Sequence, residues 1–324
     1  MPRTLVQILL EAAEKRRPLR DQGTNAYRLL NAEADELPGV SIDWFDGVAV
    51  ASLYDAPAIP SPPQLAEALG ASLRPAAVYV KQRRREAARL SDADKRVLAP
   101  STPLLGEAVS ERVVEEKSLR FLIRPAQGLA VGLYLDMRDT RDWVRRHAKR
   151  KQVLNCFAYT CGFAVAAIAG GAERVVNVDL SRRSLDWGAE NALLNEQAVS
   201  PEDYLAGEVF EWLARLERKT RRFEMVIVDP PSFATSKQRA FSAARDWPRL
   251  IESACNVLRP GGALVACCNQ LSLPQARFER MVARGFVNAR RRARAIARLG
   301  PSAIDFPVAP GKTAALKVLA YEVR

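Results

Sequence analysis

The chain has 324 residues, 48% of them hydrophobic, which is enough for two domains or for one large α/β domain with an appendage. With 49 basic and 37 acidic side chains its net charge is +12, which points to a polyanionic partner or an acidic membrane surface without choosing between them. Five cysteines (156, 161, 255, 267 and 268) with no Cys-x-x-Cys spacing, and a single histidine, argue against a disulfide framework or a zinc site.

In chain order, the first element is a helix over 4–16 with Leu5, Ile8, Leu9, Ala12 and Ala13 on one face, ended by Pro18. No signal peptide is visible in this mixed, charged start. Val40–Phe45, Asp46-Gly47 and Val48–Tyr54 predict a hairpin with a two-residue turn. Ala58–Pro63 reads as a proline-rich loop, Gln64–Leu73 as a helix begun at Pro63, and Ala77–Lys81 as a strand. These pieces divide the first half into an N-terminal helical segment, 1–24, and a small α/β domain, 25–112. A second hairpin is expected over 112–124, turning at Glu116-Lys117-Ser118. Strands at Val153, Val175, Phe223–Val228 and Ala263–Cys267 then alternate with helices, which predicts a doubly wound, mostly parallel sheet within 113–324. The uncharged run 153–172 has the length of a membrane span, but Asn155, Tyr159, Thr160 and three glycines inside it fit a buried strand-loop-helix better. The chain therefore reads as soluble and cytoplasmic, with no membrane partner.

The positive side chains cluster: Lys81 with Arg83, Arg84 and Arg85; Arg145, Arg146, Lys149, Arg150 and Lys151; Arg218 to Arg222; and Arg290 to Arg298. Each alone reads as a solvated face; four on a basic chain make nucleic acid the leading partner. His147 sits in a basic helical run and reads as an exposed helix residue.

Chemistry concentrates at predicted strand ends. Val153-Leu-Asn-Cys-Phe-Ala-Tyr-Thr-Cys-Gly162 is a strand and loop before a helix, and Asn177-Val-Asp179 ends the next strand with an acid, the layout of a ribose-bearing cofactor pocket. A dinucleotide loop needs Gly-x-Gly-x-x-Gly, and only Gly162 is present, so a nucleoside without phosphates, S-adenosylmethionine, fits better than a nicotinamide cofactor. Asp229-Pro230-Pro231-Ser232-Phe233 makes the chain leave the sheet at its carboxyl edge, where a carboxylate, carbonyls and an aromatic ring could meet a planar base. Pro260-Gly-Gly precedes another core strand tipped by Cys267, Cys268 and Asn269. A thiolate there could attack a pyrimidine ring, although buried cysteines are usually inert.

These motifs, with Gly132-Leu-Tyr-Leu-Asp136-Met-Arg138-Asp-Thr-Arg141 and, upstream, Tyr27-Arg28-Leu-Leu-Asn31 and Leu37-Pro-Gly-Val-Ser-Ile-Asp43, resemble the bacterial class I S-adenosylmethionine-dependent ribosomal RNA methyltransferases. That group holds the cytosine-C5 enzymes of large-subunit rRNA and a related guanine-N7 domain. The resemblance covers 25–324 and implies a Rossmann-like class I methyltransferase fold with a smaller N-terminal α/β domain. It implies that Tyr134, Leu135, Asp136 and Arg141 line the methionine end of the cofactor pocket, that Asn155, Phe157 and Gly162 form its floor, and that Asp179 accepts hydrogen bonds from the ribose hydroxyls. Glu208 stands where the family has an Asp that meets the adenine amine. Asp229 and Pro230 would face the methyl group and the target base.

Two departures matter. The family's cytosine enzymes usually begin with an RNA-binding barrel of the PUA type, where this sequence has a short helix before Tyr27. The nucleophilic Cys of the family's Ser-Cys-Ser pattern falls on Asn269, with Cys268 and Cys267 one and two places early. The resulting expectation is a methyltransferase acting on a base in RNA, ribosomal RNA first, at cytosine C5 or guanine N7, with the oligomeric state open. The alternatives are transfer to an exocyclic amine, or a non-catalytic RNA-binding protein with a vestigial cofactor fold.

Overall fold

The computed structural model describes residues 3–83, 97–231, 242 and 245–324. Two compact units divide the chain: Met1–Asp136 with Ser302–Thr313, and Met137–Pro301 with Ala314–Arg324.

The first unit opens with α1, Leu5–Lys15, whose Thr4 N-cap accepts from the Gln7 amide at 3.2 Å while Gln7 Oε1 accepts from the Thr4 amide at 2.9 Å. This reciprocal box satisfies two otherwise orphaned donors. Pro18 does more than end that helix: it sits in the first turn of a second one, α2 (Arg17–Asp21), where its missing N–H leaves no gap. A five-stranded sheet follows in the order β1 (Ala26–Asn31), β2 (Val40–Phe45), β3 (Val48–Tyr54), β4 (Ala77–Arg83), β5 (Leu105–Gly106). The expected hairpin is β2 and β3, turning through Asp46 and Gly47, both at positive φ. β3 and β4 are parallel, joined through α3 (Pro62–Leu73), which packs on α1 over a core that includes Leu9, Leu29, Ile42, Leu65 and Val78.

The hairpin β6 (Arg112–Glu116) and β7 (Leu119–Ile123) belongs to this unit, so the division expected at 112 falls instead after Asp136. The tie is visible in the backbone: Glu115 donates to Asn25 Oδ1 at 2.6 Å, Asn25 donates back to the Glu115 carbonyl at 3.0 Å, and Lys117 donates to Thr24 Oγ1. Ser302–Thr313 joins the unit as well. Asp305, fully buried, accepts the Arg28 amide at 3.1 Å, Pro307 O accepts from Asn31, and the Phe306 ring lies 4.7 Å from the Arg28 guanidinium. Beside them the buried Arg16 and Asp35 pair in two hydrogen bonds. Removing one partner of such a pair costs about 3–5 kcal/mol.

The second unit holds a seven-stranded sheet. Its helices are α4 (Arg138–His147), α5 (Gly162–Ala169), α6 (Arg182–Leu194), α7 (Val209–Arg218), α8 (Trp247–Val257) and α9 (Gln275–Asn288). Its strands are β8 (Gln152–Cys156), β9 (Arg174–Asp179), β10 (Tyr204–Ala206), β11 (Phe223–Val228), β12 (Leu258–Asn269), β13 (Ala293–Leu299) and β14 (Leu316–Val323). The order is β10-β9-β8-β11-β12-β14-β13; the first five run parallel, and β14 is antiparallel to both neighbours. Strand alternation sends Val153, Val175, Ile227 and Val265 to one core and Leu154, Val176, Val226 and Leu264 to the other, so both faces are covered. The chain winds outward from β8 to β10 and returns beside β8 at β11. That reversal opens a crevice at the carboxyl ends of the two central strands. Among the described residues no helix is long and apolar enough to cross a membrane; the run 153–172 is divided between β8, a loop and α5.

Candidate functional site

The loop after β8 is tied to the tip of β9 by backbone. Ala158 donates to the Val178 carbonyl at 3.0 Å, and Tyr159 donates to Asp179 Oδ2 at 2.8 Å, while Ser181 donates to Oδ1 at 2.8 Å. Each carboxylate oxygen keeps a second acceptor position, so Asp179 is both fixed and able to receive further donors. Phe157, Tyr159 and Cys161 all lie in the left-handed region, an unusual density for residues with side chains, at a cost on the order of 1–3 kcal/mol each. The loop is clamped from α6: Asn191 Nδ2 donates to Thr160 O at 2.9 Å, and Gly188 lies so close to Cys161 that a Cβ there would come within 2.3 Å of its sulfur.

Asn155 lies directly beside Asn177 in register, 1% exposed, and its Nδ2 donates to Asn177 Oδ1 at 3.0 Å. Its own Oδ1 is buried with no hydrogen-bond partner among the described residues. An acceptor so placed calls for a donor. Gly162 opens α5 just beyond the loop.

Across the crevice, Asp229 follows β11, its amide 3.4 Å from the Cys156 carbonyl, and the buried Pro230 follows. Ser232 and Phe233 lie outside the described residues. Glu208 has a role the sequence did not suggest: it is the N-cap of α7, Oε2 accepting from the Glu211 amide at 3.0 Å. Oε1 is the oxygen left for another donor.

At the tip of β12, alternation separates the two cysteines. Cys267 faces the core that holds Met137 and Phe163, Cys268 the one that holds Trp247 and Phe278, and both are essentially inaccessible; Asn269 is exposed. Burial pushes the Cys268 thiol up, against the opposing pull of the Gln270 amide and of Lys317. Sequence reasoning missed Lys317. It pairs with Cys268 in the β12–β14 register and, 8% exposed, donates to Gln270 O at 2.9 Å and Ala315 O at 2.7 Å, fixing the turn that carries Asn269. A lysine inside the apolar run Ala314–Ala320 was the available signal.

Tyr134, Leu135 and Asp136 end the first unit: Tyr134 is exposed, Leu135 is buried, and the short turn Leu135–Met137 leads into α4, where Arg141 is buried. The basic clusters differ in kind. Lys81 is no surface cation: fully buried, it donates to the carbonyls of Pro125, at 2.8 Å, and Gly128, and burial, then Arg83, lowers its pKa to about 7. Arg83 turns to Leu129 O and Ser52, and Arg84 and Arg85 lie outside the described residues. Arg294 and Arg298 are paired with Glu322 and Glu279. His147 is exposed and stacks on Trp143 at 4.1 Å.

A family model described as S-adenosylmethionine-dependent methyltransferase matches residues 32–294. Ribosomal RNA large subunit methyltransferase I of Aeromonas salmonicida is 35% identical over 300 residues, covering 92% of this chain and 74% of that protein. Its namesake from Aliivibrio fischeri is 34% identical over 288 residues, with 88% and 71% covered. Among solved structures, SMU.776 in complex with S-adenosylhomocysteine matches with a TM-score of 0.87 at 24% identity, covering 99% of this chain and 83% of that one. The S-adenosylmethionine-dependent methyltransferase from Agrobacterium tumefaciens gives 0.66 at 15%, with 93% and 91% covered; both likenesses speak to the fold alone. With strand order, crevice and sequence in agreement, the chain belongs to the S-adenosylmethionine-dependent methyltransferase family that includes the large-subunit ribosomal RNA methyltransferases I.

Proposed function

We propose that this methyltransferase modifies a base in RNA, ribosomal RNA first, and that it methylates a ring nitrogen, as at guanine N7, without a cysteine nucleophile. The observation that carries the second part is the burial of Cys267 and Cys268 on opposite faces of the sheet, with Asn269 exposed at the strand tip in the place where the family's cytosine enzymes hold their thiol. When bound, S-adenosylmethionine supplies an electrophilic methyl group that a nitrogen lone pair displaces in line, a reaction that needs positioning more than acid or base help. The donor set suits that cofactor. Asp179 is held rigid for the ribose hydroxyls, Asn155 Oδ1 is a buried acceptor suited to an ammonium group, and Glu208 Oε1 remains for an amine. Phe157 and Gly162 shape the loop, Arg141 offers its charge to a carboxylate, Asp229 and Pro230 border the reacting groups, and Asn269 orients the base. The charge of +12 fits an RNA substrate, and a ribosomal RNA substrate in turn implies a cytoplasmic location.

Cytosine-C5 transfer through Cys268 is the second reading, favoured by Lys317 and the Gln270 amide, which both draw its thiol toward the thiolate. Cys267→Ser and Cys268→Ser variants, assayed for turnover on rRNA and for a covalent RNA adduct, decide between them. Activity within about threefold of wild type is expected for both. Loss of more than a hundredfold in either, with an adduct trapped by the wild type, would establish the thiol route. Nucleoside mass spectrometry of the product names the base, and no methylated nucleoside in any RNA would sink the RNA-methyltransferase reading.

A further inference from the structure

Of the four basic clusters, the one at 218–222 extends into a cavity. Behind the end of β10, a depression of about 560 Å³ is lined by Gly207, Glu211, Trp212, Arg215 and Arg218, a size that accommodates one nucleotide. The indole forms part of its wall, fixed by Nε1 donating to Ala206 O at 3.1 Å, and the Arg215 guanidinium lies 4.7 Å from the ring. Gly207 is required for that arrangement: its φ is +146°, and a Cβ there would meet the indole nitrogen at 2.7 Å. Arg215 and Arg218 are exposed and make no ion pair among the described residues, in contrast to Arg294 and Arg298. A second guanidinium reaches α7 from the adjoining helix, Arg249 of α8 lying 4.3 Å from the ring of Phe210 on α7. Between 208 and 222 five cations face three carboxylates, one of which caps a helix.

We infer that this α7 face docks a single-stranded stretch of the RNA substrate, one unpaired nucleotide entering the cavity with its phosphates on Arg215 and Arg218 and its base against the Trp212–Arg215 pair. Aromatic and guanidinium planes interleaved with unpaired cations are the surface that single-stranded RNA recognises, because every base has a face to stack and every linkage a charge. Position supports the assignment. Gly207 donates to the Asp179 carbonyl at 2.9 Å, so the cavity begins beside the strand tip that carries the cofactor's acid. The cavity lies behind β10, three strands from β11 and Asp229 in the sheet order, so a nucleotide held there is several positions along the RNA from the one being modified. This inference rests on the RNA-methyltransferase reading above and adds the surface.

The test compares wild type with Arg215→Gln/Arg218→Gln and with a control pair on an exposed face of α9, Arg277→Gln/Arg280→Gln, all on one large-subunit rRNA transcript. Filter binding between 50 and 200 mM salt should give about tenfold weaker binding for the α7 pair only, with the salt slope reduced by about 1.4, two single-strand phosphate contacts. Methyl transfer by that pair should show a raised KM for RNA at unchanged kcat, and calorimetry should show unchanged S-adenosylmethionine binding. Binding within twofold of wild type and an unaltered slope would overturn the inference, as would an equal loss in the control pair. If wild type sediments as a dimer and the α7 pair as a monomer, the face is an interface between copies and the inference falls. Wild-type methyl transfer to the transcript separates the two levels: its presence with indifferent variants refutes only the docking face, its absence refutes the parent reading.

Discussion

At the scale of single residues, the proposed cofactor site is built on groups held by backbone. Asp179 was legible in the sequence because an acid at the end of a second strand has a recognisable spacing from the loop before it; its two backbone donors were not, since they depend on left-handed residues that lack glycine. Asp179→Asn keeps the size, removes the charge and sets an NH2 against one of the two backbone amides that the carboxylate receives; a charge-assisted hydrogen bond contributes about 1.5–3 kcal/mol, so cofactor affinity should fall about 10–100-fold by calorimetry, with the melting temperature lowered by a few degrees. Glu208 and Lys81 illustrate the opposite limit. The sequence placed each by motif or cluster, whereas burial and capping decided what each does. Lys81 also has a pH consequence. Its folded pKa, about 7, lies below the ordinary lysine value, so the unfolded chain holds the extra proton across the window from about pH 7 to about pH 10. Stability therefore rises with pH through that window. Lys81→Met should flatten the rise, measured as the melting temperature at the two ends of the range.

At the scale of elements, hairpins with Asp-Gly turns and strands of continuous β-branched residues were readable: β2, β3 and β11 have the expected bounds. β10 was not, being three residues long, and β13 was hidden by its composition, alternating Ala and Arg with little of it buried. The segment between β13 and β14 carried no sequence signal either, because a buried aspartate is indistinguishable from a surface one until its donors are known. Asp305→Ala would leave the Arg28 amide without its acceptor, at a cost of about 1–3 kcal/mol. Hydrogen exchange should register that loss in β1 and in 302–313 and leave the strands of the second unit protected as before; uniform loss across both units would contradict it.

At the scale of the whole molecule, the doubly wound class followed from alternating patterns, and the ordered motifs carried the family, but the partition of the chain did not. Composition changes smoothly through 112–136, so only three-dimensional contacts reveal that the second hairpin stays with what precedes it. Because Ser302–Thr313 leaves one sheet to complete the other body, the polypeptide passes between the two bodies at 136/137, 301/302 and 313/314. No single scission, whether by a protease or by a cloning boundary, yields two self-sufficient halves. A product ending at 136 lacks the carboxylate that receives the Arg28 amide, and one beginning at 137 carries Asp305 and Phe306 with nothing to receive them. Any chimera that exchanges the N-terminal body with that of a relative must bring this distant twelve-residue clasp along with it.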